Sequence, residues 1–168
     1  MYFSDNVITY RRTEDLGIVW SNPIDQGLRA FPMAVSAHGE YVAAVMAEVS
    51  FQGEFERYTR LYTGIFDGKT GGEVARLMVF GKYGIAISPS GKLIATVTDE
   101  LGDHGAILPT VHIHGVPSGA RFVSVVHDRV PKGRRQALLA GCGVAFTSDG
   151  KYLVTSGAVT KVWSVGWM

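Results

Sequence analysis

Hydrophobic positions along the chain fall into short runs, alternating or continuous, that are separated by clusters of Ser, Thr, Asp and Gly. Three such segments superpose without gaps: MAVSAHGEYVAAV (33–45), IAISPSGKLIATV (85–97) and VAFTSDGKYLVTS (144–156). Each opens on an apolar residue, Ala and a second apolar residue. Each then places small polar residues ahead of a Gly at one fixed offset, Gly39, Gly91 and Gly150, before a charged residue and another apolar run. This pattern predicts a β-hairpin whose turn requires a positive φ, which Gly adopts without steric cost.

A second pattern alternates with the first. IFDGKTGGEVARL (65–77) aligns with IHGVPSGARFVSV (113–125), each an apolar start, a Thr-Gly or Ser-Gly pair and an alternating strand. The segment NVITYRRTEDLGIVWS (6–21) repeats that layout around a polar turn with Gly17, and TKVWSV (160–165) matches its first strand alone. With the first hairpin named A and B and the second C and D, the order is CD, ABCD, ABCD, ABC, about 13 strands in all. Met33 and Ile85 stand 52 residues apart and Ile85 and Val144 stand 59 apart, so loops add length to the repeats. Apolar residues at helical spacing are not sustained anywhere, and RRQALLA (134–140) is predicted to form at most a turn or two of helix. Ala34, Ala86 and Ala145 suit strand A to a crowded inner position.

The wording SPSGKLIAT and TSDGKYLVTSG resembles the SPDGKYLATG core of the WD40 and YVTN-type β-propeller repeats, and VWSV (162–165) is similar to the strand that ends in Trp-Asp. The Gly-His pair that this family places before strand A is absent, and Ser164 stands where the aspartate would be. The resemblance implies an all-β fold of four-stranded antiparallel blades around an axis, with about three to three and a half blades in this chain. One domain, 1–168, is expected, divided into a half blade 6–21, blades 31–80 and 83–127, and an incomplete blade 142–168. Such an arc leaves open edges at both ends. It is completed by homo-oligomerisation or by a larger protein of which the chain is part, unless an irregular monomer brings its own ends together.

Composition narrows the partners. The chain has 16 Lys and Arg against 15 Asp and Glu, a balance that gives no global electrostatic attraction to nucleic acid or an anionic membrane. Cys142 is the single cysteine, which rules out an intramolecular disulfide and suits a reducing cytoplasm. MYFSDNVITYRR is unlike a signal peptide, and no apolar run reaches membrane-helix length.

In this strand order the BC and DA connections share one face, where AEVSFQGEFERYT (47–59), TDELGDHGAILP (98–109) and HDRVPKGRRQALLAGC (127–142) are predicted as long loops. Phe51, Phe55 and Arg57 there combine aromatic and guanidinium groups of the kind that anchor interfaces. Asp103, His104, Arg129, Lys132, Arg134 and Arg135 join them as candidate partner-binding residues. His112 and His114 lie two apart on one strand and so share a face, expected to be a polar outward one; a metal centre would need Asp103, His104 or His127 to converge on them, which spacing alone does not show. DGKTGG (67–72) is not a phosphate-binding loop, because Thr63 stands where its first Gly is required and no helix follows. Cys142 reads as a small buried residue, and no G-x-S-x-G elbow occurs. These features favour a non-enzymatic scaffold that binds a protein or peptide, with no cofactor, no metal and no catalytic residues assigned. A propeller enzyme, or a small-ligand or metal binder with its site at the central opening, is the second reading.

Overall fold

The computed structural model describes residues 7–24, 27–52, 55–79, 81, 84–101, 107–127, 143–157 and 159–166. Every regular element among them is a β-strand: β1 (Val7–Arg11), β2 (Ile18–Pro23), β3 (Leu28–Val35), β4 (Tyr41–Gln52), β5 (Phe55–Asp67), β6 (Glu73–Leu77), β7 (Gly84–Ile87), β8 (Leu93–Leu101), β9 (Ile107–Gly115), β10 (Arg121–Val126), β11 (Gly143–Phe146), β12 (Tyr152–Ser156) and β13 (Lys161–Ser164). They form four antiparallel sheets in chain order: the hairpin β1–β2, the four-stranded sheets β3–β6 and β7–β10, and the three-stranded sheet β11–β13. This is the CD, ABCD, ABCD, ABC order read from the repeats. No helix among the described residues is long and apolar enough to cross a membrane.

The turns explain why the repeats share their spacing. In each AB hairpin a hydroxyl residue three positions before the Gly closes the loop. Ser36 donates its N–H to the Tyr41 carbonyl at 3.0 Å and its Oγ accepts the Tyr41 N–H at 3.0 Å; Ser88 does the same with Leu93, and Thr147 with Tyr152. Gly39, Gly91 and Gly150 donate back to those hydroxyl residues with φ of 69°, 70° and 70°. The end of strand C is then tied onto the same turn, as the N–H groups of Gly68, Val116 and Val165 donate to the carbonyls of Glu40, Lys92 and Lys151 at 2.7–2.9 Å. The CD turns repeat too: Gly71 (φ 73°) and Gly119 (φ 70°) hold the left-handed position. In the first hairpin that position belongs to Leu16 (φ 57°), with Gly17 one residue late, because Arg12 N–H closes on the Gly17 carbonyl just as Asp67 closes on Gly72.

Packing runs between successive sheets. Ile8 and Trp20 of the hairpin meet Val42, Ala44, Met46, Tyr62 and Phe66. Ala43, Val45, Ile65 and Leu77, on the opposite side of the β3–β6 sheet, meet Ile85, Ile87 and Ile94. Ala95, Val97, Val111 and Ile113 then meet Leu153 and Val165. The inner strands are adjacent, β7 lying against both β3 and β11. Fully burying one such aliphatic side chain contributes about 1.5–3 kcal/mol, against roughly 1 kcal/mol net for a turn hydrogen bond, so sheet-on-sheet packing dominates stability and the turns set register.

Two substitutions test the turn geometry. Gly91 combines a left-handed φ with a position where a Cβ would stand 3.2 Å from Glu40 Oε2 and 3.4 Å from the Tyr41 ring, so Gly91→Ala should lower unfolding free energy by about 1–2 kcal/mol. Leu16→Gly should raise it by about 0.5–1 kcal/mol, the relief of left-handed strain exceeding the entropy that Gly adds to the unfolded chain. Urea denaturation with an unchanged m-value measures both.

Candidate functional site

The segment predicted as the first long loop is instead a β-arm. β4 and β5 stay paired past the sheet through Glu48↔Thr59, Ser50↔Arg57, Phe51↔Glu56 and Gln52↔Phe55. The apolar and polar residues of EVSFQ alternate as a strand requires, but FERYT sets Glu56 and Arg57 side by side between Phe55 and Tyr58, and these charges made the stretch resemble solvated loop. A T-shaped contact of Phe31 with Tyr58, ring centroids 5.4 Å apart, braces the arm at its base. Phe51, Phe55 and Arg57 therefore occupy the far end of one two-stranded arm. Their side chains lie outside the described residues, as do Asp103, His104, Arg129, Lys132, Arg134 and Arg135, the RRQALLA segment and Cys142.

The second BC hairpin leaves from the same end. β8 and β9 pair out to Leu101↔Ile107. β3 begins opposite Glu48, and the His127 N–H after β10 donates to the Pro109 carbonyl at 2.7 Å, so entries into strand A and exits from strand D gather there as well. The AB and CD turns occupy the other end.

His112 and His114 do share one side of β9, with ring centroids 6.3 Å apart, but the side is not outward: they are 3% and 4% exposed. They align with Thr96, Ile94 and Ile85 on the side of the β7–β10 sheet that packs against β3–β6. His112 Nδ1 lies 2.7 Å from Ser124 Oγ and its Nε2 3.4 Å from Glu100 Oε1. His114 Nδ1 lies 3.2 Å from the Gly119 carbonyl, which can only accept, so the proton sits on Nδ1. His114 Nε2 and Thr96 Oγ1 are buried without a hydrogen-bond partner among the described residues. Burial pushes both imidazoles below the ordinary 6.5; for His112 the Glu100 carboxylate opposes this while His114 and Arg121 add to it, and for His114 the Gly119 carbonyl opposes it while Arg121 adds to it. Among the described residues no three of His, Cys, Asp and Glu come together as a metal site would require.

A shallow cleft separates the β1–β2 hairpin from the β3–β6 sheet, lined by Ile8, Leu28, Met46, Tyr62 and Phe66 with Asn22, Glu73 and Arg76 beside them. Arg76 holds Glu73 through Nε and Nη2 at 2.8 and 2.9 Å and lies 4.2 Å over the Tyr62 ring. With its cation engaged in this way, the cleft offers no open charge for an anionic ligand. Sequence reasoning missed it, since the lining residues come from six strands, β1 to β6, spread over nearly seventy residues of the chain.

No protein-family model matches the chain, and no curated protein sequence does. Solved structures do match. The crystal structure of a eukaryotic initiation factor superposes with a TM-score of 0.55 at 15% identity, covering 98% of this chain. The structure of the Dos1 propeller superposes with a TM-score of 0.55 at 12% identity, covering 94%. The chain spans 38% of each of those chains.

The histidine pair generates a pH dependence. The unfolded chain takes up protons near the ordinary histidine value of 6.5, whereas the folded chain resists until lower pH, so this contribution to stability is complete above 6.5 and is lost as pH falls below it. Asp15, Asp67 and Asp149, held below their ordinary 3.8 mainly by hydrogen bonds from Gly17, Thr70 and Thr147, act in a separate and more acidic window. Urea midpoints should fall between neutral pH and mildly acidic pH. His114→Asn keeps a donor for Gly119 without the titration and should flatten that fall; an unflattened profile would remove His114 from the account.

With four antiparallel sheets stacked in chain order, inner strands adjacent and these structural neighbours, the fold is that of a β-propeller, of which this chain carries an arc of about three blades.

Proposed function

We propose that the chain is a non-enzymatic, WD40-like interaction scaffold that presents its BC and DA end to a protein or peptide. In this reading the arc comprises the half blade 6–21, blades 31–80 and 83–127 and the incomplete blade 142–168, and it is completed by homo-oligomerisation or within a larger protein. The observation that carries it is the β4–β5 arm: pairing out to Gln52↔Phe55 extends Phe51, Phe55 and Arg57 past the sheet at the end where the connecting segments gather. Aromatic and Arg residues on a paired projection suit a protein partner, since such residue types dominate binding energy. Asp103, His104, Arg129, Lys132, Arg134 and Arg135 are included in the proposed surface on their residue types and their position in the connecting segments of the sequence.

The WD40-like character is supported by Trp163, whose Nε1 donates to Thr155 Oγ1 at 3.0 Å and so ties the VWSV strand to its neighbour. A reducing cytoplasm suits a chain whose single cysteine is Cys142.

Replacement of Phe51, Phe55 and Arg57 together by Ala should weaken capture of the partner roughly tenfold or more while leaving the fold intact. Affinity capture from cells, compared between the wild-type chain and the triple variant at equal loading, makes the measurement. Unchanged recovery of the same proteins would remove the arm from the binding surface.

A further inference from the structure

We propose that Ser124 is a nucleophilic serine that takes the acyl group of an activated ester, with His112 as its general base and Glu100 as the positioning residue behind the imidazole. The inference stands apart from the scaffold reading, which gives Ser124 no role and accommodates a site that reacts once per chain.

Three strands build the constellation. Ser124 on β10 and His112 on β9 are cross-strand partners, and Glu100 lies on β8. The His127 N–H donates to the Pro109 carbonyl at one end of that ladder, so by the alternation of antiparallel pairs Ser124 and His112 exchange no backbone hydrogen bond with each other. Side chains stand closest in such a pair, and Ser124 Oγ comes to 2.7 Å from His112 Nδ1. At the far side of the ring, Nε2 lies 3.4 Å from Glu100 Oε1.

The Glu100 charge decides which way the hydrogen bonds run. A carboxylate only accepts, so it holds the ring proton on Nε2 and leaves the Nδ1 lone pair for the Ser124 O–H to donate into. Burial keeps the imidazole neutral and so able to take a proton. Nucleophile, base and orienting carboxylate thus stand in the relation that acyl transfer uses, with the two ring nitrogens in the reverse of their roles in serine proteases.

The nucleophile is also reachable. His112 is buried, but Ser124 is exposed on β10, the outermost strand of its sheet. The same alternation turns the Ser124 N–H toward the free edge of β10, where no described strand pairs with it. It can there donate to the carbonyl oxygen of an ester as negative charge develops. Val126, on the same side of β10 and 48% exposed, gives an apolar acyl chain a surface to lie on. In the reaction Ser124 Oγ bonds to the acyl carbon and its proton passes to His112 Nδ1. The ester C–O bond breaks, the proton moves on to the departing alkoxide, and the products are acyl-Ser124 and an alcohol.

p-Nitrophenyl acetate tests this on the full chain, with the modified residues located by peptide mass mapping and the exposed Ser118 as internal comparison. Acetyl should accumulate on Ser124 roughly tenfold or more faster than on Ser118. Ser124→Ala should abolish the fast phase of p-nitrophenolate release. Glu100→Gln, at a half-exposed position, should slow that phase about tenfold, and Glu100→Asp should recover part of the rate. Nitrogen NMR of His112 reads the tautomer without any reaction, and Nε2 should carry the proton. Equal acetylation of Ser124 and Ser118, acetyl on lysine or histidine alone, a rate indifferent to Glu100→Gln, or a proton on Nδ1 would each overturn the proposal.

Discussion

Burial of strand B on both of its sides is the constraint from which the rest of the architecture follows. In β4 the residues Val42, Ala44 and Met46 pack one way while Ala43 and Val45 pack the other, and β8 sends Ile94 one way and Ala95 and Val97 the other. A sheet with such a strand cannot stand alone in water, because whichever face it hides the other stays exposed. It is stable only between two neighbours, and each neighbour inherits the same requirement. Stacking is thereby propagated along the chain, and small residues such as Ala43, Ala44 and Ala95 let the sheets approach closely enough for aliphatic side chains to interlock.

Stacking alone would leave register free, since a sheet that is apolar on both sides accepts a slip more readily than one with a wet face. The turns remove that freedom. A hydroxyl residue accepting from the backbone five positions on, a left-handed Gly between them and a strand C end tied to the following carbonyl fix three strands against one another within each repeat. Gly39 and Gly91 matter for a second reason, because a Cβ there would crowd the preceding sheet at Tyr10 and at Glu40 and Tyr41, whereas at Gly150 a Cβ would meet Pro89 at an ordinary contact distance. Turn geometry and sheet stacking are thus specified by one residue.

The strand order was legible in the sequence because it depends on this local chemistry, which spacing records. Features decided by neighbouring sheets were not. Period-two alternation places His112 and His114 on one side of β9, but whether that side is wet depends on β3–β6, whose contribution is distant in the chain. The β4–β5 arm was hidden by its charges, since Glu48, Glu56 and Arg57 weigh against a strand and the supporting alternation is confined to EVSFQ on β4. Leu16 was hidden by Gly17, which attracts the turn assignment one residue too far. Of the candidate site, the residue types and the shared end of Phe51, Phe55 and Arg57 were readable; their presentation on a paired arm required the ladder.

The two histidines of VHIHG show how a buried polar row differs from an apolar one in this fold. A one-residue slip of β9 would carry His112 and His114 to the side occupied by Val111, Ile113, Leu153 and Val165, away from Ser124, Glu100 and Gly119. Leaving those groups unpaired in an apolar layer costs about 1–3 kcal/mol apiece, which penalises the slipped state more than any loss of aliphatic contact that repacking could recover. The pair is not symmetrical, however. Protonated His112 has an acceptor for each N–H, Ser124 Oγ and the Glu100 carboxylate, whereas protonated His114 would point a new Nε2–H into a buried space where no described group accepts it. Glu100 therefore offsets part of the burial penalty on protonated His112, though burial still favours its neutral form. His114 holds the register only when neutral, and the contact between the two complete sheets is strongest under the conditions that keep it so.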